Sequence, residues 1–107
     1  MSLISIVIPV YNEANCLETL ATRLFDIEKN IEEKLEYIFV NDGSHDETLK
    51  ILQTLEKRKE NVRYLSFSRN FGHEAATTAG IDHADGNAIV VIDADLQDPP
   101  ELIPELV

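Results

Sequence analysis

The chain has a single cysteine, Cys16, among its 107 residues. One thiol excludes an internal disulfide and fits a reducing compartment, where such a cysteine packs as a small apolar group. One cysteine and three histidines at unrelated spacings do not form a four-ligand zinc cluster, so no structural zinc is expected. We predict that His45, His73 and His83 lie on the surface or on helix faces, and no role is assigned to them.

Basic residues are also scarce, with nine Lys and Arg against 20 Asp and Glu and a formal net charge of −11. A field of this sign repels phosphate backbones, which argues against a nucleic-acid partner. It also repels a nucleotide diphosphate, unless a divalent cation or a local basic group offsets it. If an acidic chain like this one binds a nucleotide, a metal ion is therefore implied.

Long hydrophobic runs are absent. The first apolar run follows no basic segment and is broken at Pro9 after about seven residues, too short for a signal peptide or a membrane span. No internal repeat, low-complexity tract or linker divides the sequence. We therefore expect one soluble domain over residues 1–107, without a transmembrane segment.

Four apolar runs rich in Val and Ile are typical of strands that are covered on both faces. They comprise residues 3–10, 37–40, 62–67 and 88–92. Three helical segments separate them, and the first has apolar residues three and four positions apart, namely Leu17, Leu20, Leu24, Ile27 and Ile31. The alternation predicts an α/β fold, an open and mostly parallel sheet with helices on both faces.

The ends of these helices are predicted from local capping patterns. Asn15, followed by Glu18, is expected to cap the first helix, and the Ser44 to Glu47 segment has the spacing of a capping box for the second. The third is expected over about residues 72–84, where small residues allow close approach to the sheet, with Gly86 as its stop.

Polar segments follow all four strands. In an open parallel sheet, ligands bind at the carboxyl ends of the strands, so these segments are expected to meet at one edge. They are residues 11–13, 41–44, 68–72 and 93–98.

The last segment begins with Asp93-Ala94-Asp95. An extended chain turns Asp93 and Asp95 to the same side, while Ala94 leaves room for a ligand. Two converging carboxylates suit Mg²⁺ or Mn²⁺ that also holds phosphates, and Gln97 can add a third oxygen. Alternatively, Asp93 simply ends a strand, and Asp95 or Asp98 caps a helix.

Other strand ends offer groups suited to a nucleotide. Tyr11 can stack on a base, and Glu13 can accept ribose or base hydrogen bonds, although a tyrosine here can also simply pack. Asp42 can present its carboxylate to a base or ribose, or instead form an Asx turn. Arg69 can neutralise a phosphate near the flexible Gly72, or be an ordinary surface arginine.

Taken in order, four motifs resemble those of the family 2 inverting glycosyltransferases. They are the segments VIPVYNE at 7–13, VNDGSHD at 40–46, FSRNFG at 67–72 and DADLQDPP at 93–100, which together extend along essentially the whole chain. Within the family, SRNFG and DLQDPP are similar to the polyprenyl-phosphate branch, which includes dolichol-phosphate mannose synthases and bacterial undecaprenyl-phosphate glucosyl- or aminoarabinosyl-type transferases.

This resemblance implies the nucleotide-sugar-binding, N-terminal part of a GT-A fold. It implies a UDP- or GDP-sugar donor and a polyprenyl-phosphate acceptor at the cytoplasmic face of the membrane, with inversion at the sugar. The family's second half, which supplies acceptor contacts and often membrane helices, is missing, so the chain alone is expected to be inactive. The residues implied around the nucleoside are Pro9, Tyr11, Glu13, Val40 and Asp42, and those holding metal and diphosphate are Asp93, Asp95 and Gln97.

Several alternatives stay open at this stage. A dinucleotide-binding oxidoreductase is disfavoured because the first strand is followed by Tyr11-Asn12-Glu13 and not by glycines, and the sequence has no P-loop. A flavodoxin-like regulatory domain would also gather aspartates and Mg²⁺ at strand ends. Further alternatives are a binding module that oligomerises through its sheet edge, and a family 2 enzyme acting on a polysaccharide or another soluble acceptor.

Overall fold

The computed structural model describes residues 2–93. Over this range, strands and helices alternate without exception. All pairings between neighbouring strands are parallel, and the order is β3-β2-β1-β4. The predicted α/β fold with a parallel sheet is therefore confirmed. The elements are β1 (Leu3–Val10), α1 (Ala14–Glu28), β2 (Lys34–Asn41), α2 (Thr48–Arg58), β3 (Val62–Ser66), α3 (His73–Asp82) and β4 (Ala88–Val91).

The strand order reverses at β1. The chain first adds β2 and β3 on one side of β1, and then returns to place β4 on the other side. The crevice at such a reversal, at the carboxyl ends of the strands, is where open α/β sheets bind their ligands. Here it lies where β1 and β4 end.

One face of the sheet carries the main hydrophobic core. The apolar residues of α1 at 17, 20, 24 and 27 are buried as the periodicity predicts, and those at 17, 20 and 24 share the core with alternate residues of β1. Ile31, predicted to continue this helical stripe, lies beyond the end of α1 at Glu28. Tyr37 and Phe39 of β2 are also fully buried in this core. Two aromatic side chains of this size remove much apolar surface from water. This burial of apolar surface is the main contribution that holds α1 and α2 against this face.

Helix α3 packs against the opposite face and is held there by small residues. Ala76 is buried against Ile38 and Val40 of β2. A Cβ atom added to Gly80 would lie only 2.4 Å from Val7 Cγ1 and 3.2 Å from Val40 Cγ2. The helix thus approaches β1 and β2 closely, as its small residues predict.

The predicted cap of the first helix is wrong. Helix α1 begins at Ala14, one residue before the proposed cap Asn15. The Ala14 amide donates to Asp46 Oδ2 at 3.2 Å, and the Glu13 amide donates to Thr48 Oγ1 at 3.2 Å. These acceptors come from the loop after β2 and from the first residue of α2, which a local pattern cannot show.

The predicted capping box of the second helix is also wrong. Helix α2 begins at Thr48 and not near Ser44. Ser44 Oγ instead accepts the Asn12 amide at 2.9 Å, and Thr48 donates its own amide to Asp46 Oδ1 at 3.0 Å. The serine thus joins two loops and does not start a helix.

Gly86 does not end the third helix, since α3 ends earlier, at Asp82. The Gly86 amide donates to Ser5 Oγ at 2.9 Å. A Cβ atom at this position would lie 2.5 Å from Ser5 Oγ and 2.7 Å from Ser5 N. The glycine is needed because the loop before β4 lies directly on β1.

The same loop is tied to the sheet by Glu36 of β2. Its carboxylate accepts hydrogen bonds from the Ser5 hydroxyl, from the Asp85 amide at 2.7 Å and from Arg63 Nη2 at 2.9 Å. Burial would raise the pKa of Glu36, but these hydrogen bonds and the Arg63 charge outweigh it and lower the pKa. Glu36 is therefore ionised in the folded protein at neutral pH.

Between residues 2 and 93, none of the helices combines the length and the apolar character needed to cross a lipid bilayer.

Candidate nucleotide-binding site

A cavity of about 580 Å³ opens at the carboxyl ends of the strands, where the strand order reverses. This volume falls within the usual range for small-molecule sites. Its walls come from the ends of β1, β2 and β4 and from the start of α3. The lining residues are Pro9, Val10, Tyr11, Glu13, Asp42, Asn70, Gly72, His73, Ala76 and Asp93.

The structure brings together most of the predicted residues that it describes. Five of them line this cavity, namely Pro9, Tyr11, Glu13, Asp42 and Asp93. Tyr11 lies at the surface with 42% of its area exposed, so its ring is accessible to a ligand. Ala94, Asp95 and Gln97 lie outside the described residues.

Val40 and Arg69 are not brought to the cavity. Val40 is fully buried against Ala76, which lines the cavity, so the Val40 side chain is not accessible to a ligand. The Arg69 guanidinium lies over the Phe71 ring, 4.0 Å from its centroid, a cation–π contact at the surface. In this conformation, neither side chain contributes to the surface that a nucleotide would contact.

Asp42 is buried at the end of β2, with only 3% of its area exposed. Its Oδ1 accepts the Phe71 amide at 2.7 Å, while its Oδ2 accepts the Gly72 amide and Asn70 Nδ2, each at 3.0 Å. A carboxylate has about four acceptor positions, so Oδ1 keeps one for a ligand. Asp42 does not form the alternative Asx turn, because its carboxylate accepts from residues 70–72; its neighbour Asn41 instead accepts the Ser44 amide through Oδ1 at 3.1 Å.

The loop after β1 is fixed by Asn12. This residue has a φ of +52°, in the left-handed region that asparagine tolerates better than most residues. Its Oδ1 accepts the His45 amide at 2.8 Å, and its own amide donates to Ser44 Oγ at 2.9 Å. The backbone that carries Tyr11 and Glu13 into the cavity is thereby held in place.

The sequence analysis missed His73 as a site residue. It is the first residue of α3, it lines the cavity, and its Nε2 lies 2.9 Å from Asp93 Oδ1. The two side chains are 62% and 44% exposed. A histidine without a metal-ligand spacing gives no signal in one sequence. The available signal was its place directly after the polar segment at residues 68–72.

The charges around the cavity are predominantly negative. Glu13, Asp42 and Asp93 contribute carboxylates, and His73 is the only basic side chain in the lining within the described part of the chain. Asp93 is partly exposed and offers the hard oxygen ligands that Mg²⁺ and Mn²⁺ prefer. Residues 2–93 contain no group of three acidic, His or Cys side chains arranged to hold a metal ion.

These features define an open α/β domain with a nucleotide-sized, acidic cavity at its strand-order reversal. Residues 5–107 match the family model described as "Glycosyl transferase family 2". The chain therefore belongs to glycosyl transferase family 2, as its motifs indicate.

Curated relatives match along nearly all of this chain. It is 52% identical over 103 residues to the "uncharacterized glycosyltransferase YkcC" of Bacillus subtilis, covering 96% of this chain and 32% of that protein. It is 45% identical over 104 residues to the "prophage bactoprenol glucosyl transferase homolog" of Escherichia coli, covering 97% of this chain and 34% of that protein. The chain thus spans about a third of the length of these relatives.

Solved structures confirm the fold. The mannosyltransferase PcManGT from Pyrobaculum calidifontis, in complex with GDP-Man and Mn²⁺, superposes with a TM-score of 0.77 at 22% identity, over 90% of this chain and 32% of that chain. TarS 1-349 of S. aureus, in complex with UDP-GlcNAc, gives a TM-score of 0.75 at 24% identity, over 89% of this chain and 27% of that chain. At these identities the likeness establishes the GT-A fold alone.

Proposed function

We propose that this chain is the donor-binding part of an enzyme that transfers a sugar from a nucleotide-diphospho-sugar to a polyprenyl-phosphate carrier. The observation that carries the proposal is the cavity at the strand-order reversal, which collects Tyr11, Glu13, Asp42 and Asp93. Such a crevice is the usual ligand site of this architecture. Family membership makes sugar transfer the reaction to expect there.

The nucleoside would lie at the β1 and β2 side of the cavity. The exposed ring of Tyr11 is suited to stack on the base, and Glu13 to accept hydrogen bonds from ribose or base. Asp42 would use the acceptor position that Oδ1 retains beside the Phe71 amide. These three residues would recognise hydrogen-bond donors and an aromatic face, which both UDP and GDP provide.

The diphosphate would lie at the β4 side, where a cation is needed. An anionic donor entering an acidic cavity of a chain with net charge −11 is repelled unless a divalent ion is present. We assign Asp93, Asp95 and Gln97 to hold Mg²⁺ or Mn²⁺, with Ala94 beside the donor. When bound, the ion would stabilise the negative charge that develops on the departing nucleoside diphosphate.

The acceptor is proposed to be a lipid phosphate at the cytoplasmic face of the membrane. Support comes from the relatives, since one of them is named a homologue of a prophage bactoprenol glucosyl transferase. A phosphate oxygen is already ionised and needs little deprotonation before it attacks the anomeric carbon, with inversion. Acceptor contacts and any membrane helices would belong to sequence beyond this chain, consistent with its coverage of a third of the relatives.

Calorimetry with UDP- and GDP-sugars, with and without Mn²⁺, tests donor binding. We expect binding that is strengthened by the ion, and loss of that gain in Asp95→Ala. The exposed Asp82 at the end of α3 lies outside the cavity, so Asp82→Ala is a matched control that should bind as wild type does. No binding of any nucleotide under either condition would contradict the proposal that this chain binds the donor; a flavodoxin-like domain, the alternative left by the sequence, does not have the strand order β3-β2-β1-β4.

The acceptor is tested separately, with the protein in its full natural length. The sugar nucleotide that binds in calorimetry is supplied with a labelled sugar. Incubation with it should transfer the label to undecaprenyl phosphate in detergent or vesicles. Transfer to a soluble saccharide, with none to the lipid phosphate, would keep the family assignment but replace the acceptor.

A further inference from the structure

The contact between His73 and Asp93 joins two elements that are far apart in sequence. His73 comes from the start of α3 and Asp93 from the end of β4, and His73 Nε2 lies 2.9 Å from Asp93 Oδ1. Both side chains line the cavity. Because both are partly exposed, neither is needed to fill the core. The contact is therefore a candidate for a role in the site and not in packing.

Both partners of this contact are held by the backbone. Asp42 accepts the amides of Phe71 and Gly72, which fixes the residues directly before α3. The Ile92 amide donates to Val7 O at 2.9 Å, which extends the pairing of β4 with β1 to Ile92, the residue directly before Asp93. The separation of the two side chains is thus set by anchored main chain on each side.

We propose that His73 is a positioning residue for Asp93 in donor binding. This inference rests on the proposed function. Nε2 donates to Oδ1 and restricts the rotation of the carboxylate, so that Oδ2 is available to the donor and its cation. A free aspartate must lose rotamer freedom on binding, whereas one already held by a partner loses less. Partners that orient a ligating group in this way typically change affinity by about 10–100-fold when they are removed.

Variants of His73 that place a donor nitrogen at different distances from Asp93 test this proposal. In His73→Gln the side-chain amide reaches about as far as Nε2, so it can still donate to Asp93. In His73→Asn the amide takes the place of Nδ1 and falls short of Asp93. His83, at the other end of the same helix, lies outside the cavity, which makes His83→Ala the matched control.

The experiment measures the affinity of the full-length protein for the sugar nucleotide with Mn²⁺, by calorimetry. We expect His73→Ala and His73→Asn to weaken binding about tenfold or more, and His73→Gln to restore most of the affinity. His83→Ala should bind as wild type does. Urea unfolding of each variant without ligand should show unchanged stability, because His73 is exposed.

A double-mutant cycle with Asp93→Ala separates positioning from direct contact with the donor. If His73 acts through Asp93, adding His73→Ala to Asp93→Ala causes no further loss. An equal further loss would show that His73 contacts the donor itself, which overturns the proposal. So would wild-type affinity in His73→Ala, whereas absence of donor binding by the wild type would overturn the proposed function as well.

The contact itself is tested without any ligand, through the imidazole ¹⁵N signals of His73. A proton held on Nε2 in the wild type, with a changed ring spectrum in Asp93→Ala, is expected. Ring signals that do not respond to the loss of Asp93 would contradict the proposal, whatever the result with nucleotides.

Discussion

Replacing Asp42 with asparagine should destabilise the protein even when no ligand is present. The substitution keeps the shape of the side chain but removes its charge and turns one acceptor oxygen into a donor. Asp42 is buried and accepts three hydrogen bonds, from the Phe71 and Gly72 amides and from Asn70. An asparagine in its better orientation keeps the two bonds at Oδ2 and places an NH₂ group against the Phe71 amide.

The expected cost follows from these bonds. Loss of one hydrogen bond to a charged acceptor costs about 1.5–3 kcal/mol. The two bonds that remain become neutral and lose roughly half of their strength. Because this hydrogen bond is only partly buried, water can partly replace the lost acceptor of the Phe71 amide. We therefore expect a net loss of about 2–4 kcal/mol, out of about 5–15 kcal/mol for a typical domain.

Equilibrium unfolding in urea, followed by far-UV circular dichroism, measures this loss. With a slope of about 1–2 kcal/mol per molar urea, the midpoint should fall by at least about 1 M. Amide hydrogen exchange should accelerate most at Phe71, whose amide loses its acceptor, and less at Gly72, whose bond to Oδ2 is kept but becomes neutral. Asp82→Asn, at an exposed position, should change stability by less than about 0.5 kcal/mol. A loss below about 1 kcal/mol with unchanged exchange at both amides would refute the reasoning.

Two further predictions concern the sheet. Because the pKa of Glu36 is lowered in the folded protein, its contribution to stability is complete above the unfolded pKa of about 4.3 and is lost as the pH falls through the folded pKa. Glu36→Gln should therefore cost about 1–2 kcal/mol at pH 7 and should reduce the loss of stability that urea unfolding measures between about pH 5 and 3. The same dependence of stability on pH in the variant and the wild type would contradict this. Gly80→Ala should cost about 1 kcal/mol of stability, because the clash of the new methyl group with Val7 exceeds the gain in helix propensity. The same substitution should be stabilising in a Val7→Ala background, where the clash is removed. Calorimetric melting that shows the same effect in both backgrounds would argue against the close approach of α3 to β1.

The fold was predictable because its signals are local and repeated. Runs of Val and Ile predict the strands, and the spacing of Leu17, Leu20 and Leu24 predicts the buried stripe of α1. The expected cover on both faces holds for the central strands β1 and β2 but is wrong for β4, where Ile89 and Val91 are exposed because this strand lies at the edge of the sheet. The small residues of α3 predict its close approach to the sheet, which Ala76 and Gly80 make. None of these predictions requires knowledge of which residues, distant in sequence, are in contact in the fold.

Helix ends were not predictable, because their partners are remote in sequence. Asn15 and Ser44 each fit a local capping pattern, but the amides at the start of α1 bond instead to Asp46 in the loop after β2 and to Thr48, the first residue of α2. A capping pattern gives the donors and acceptors that are near in sequence. It does not show that another loop brings a competing acceptor to the same amides.

The candidate site likewise has features that the sequence predicts and features that depend on partners remote in sequence. That Asp42 and Asp93 meet at one edge follows from the strand ends alone, since parallel strands finish at the same side of a sheet. How each carboxylate is satisfied does not follow, because Asp42 takes amides from the loop before α3 and Asp93 takes the ring of His73. In a chain with net charge −11, this arrangement gives each of the two acids a partner before a cation arrives. These hydrogen bonds orient both carboxylates but leave their negative charge in place, so an anionic donor would still need the proposed ion to offset the repulsion.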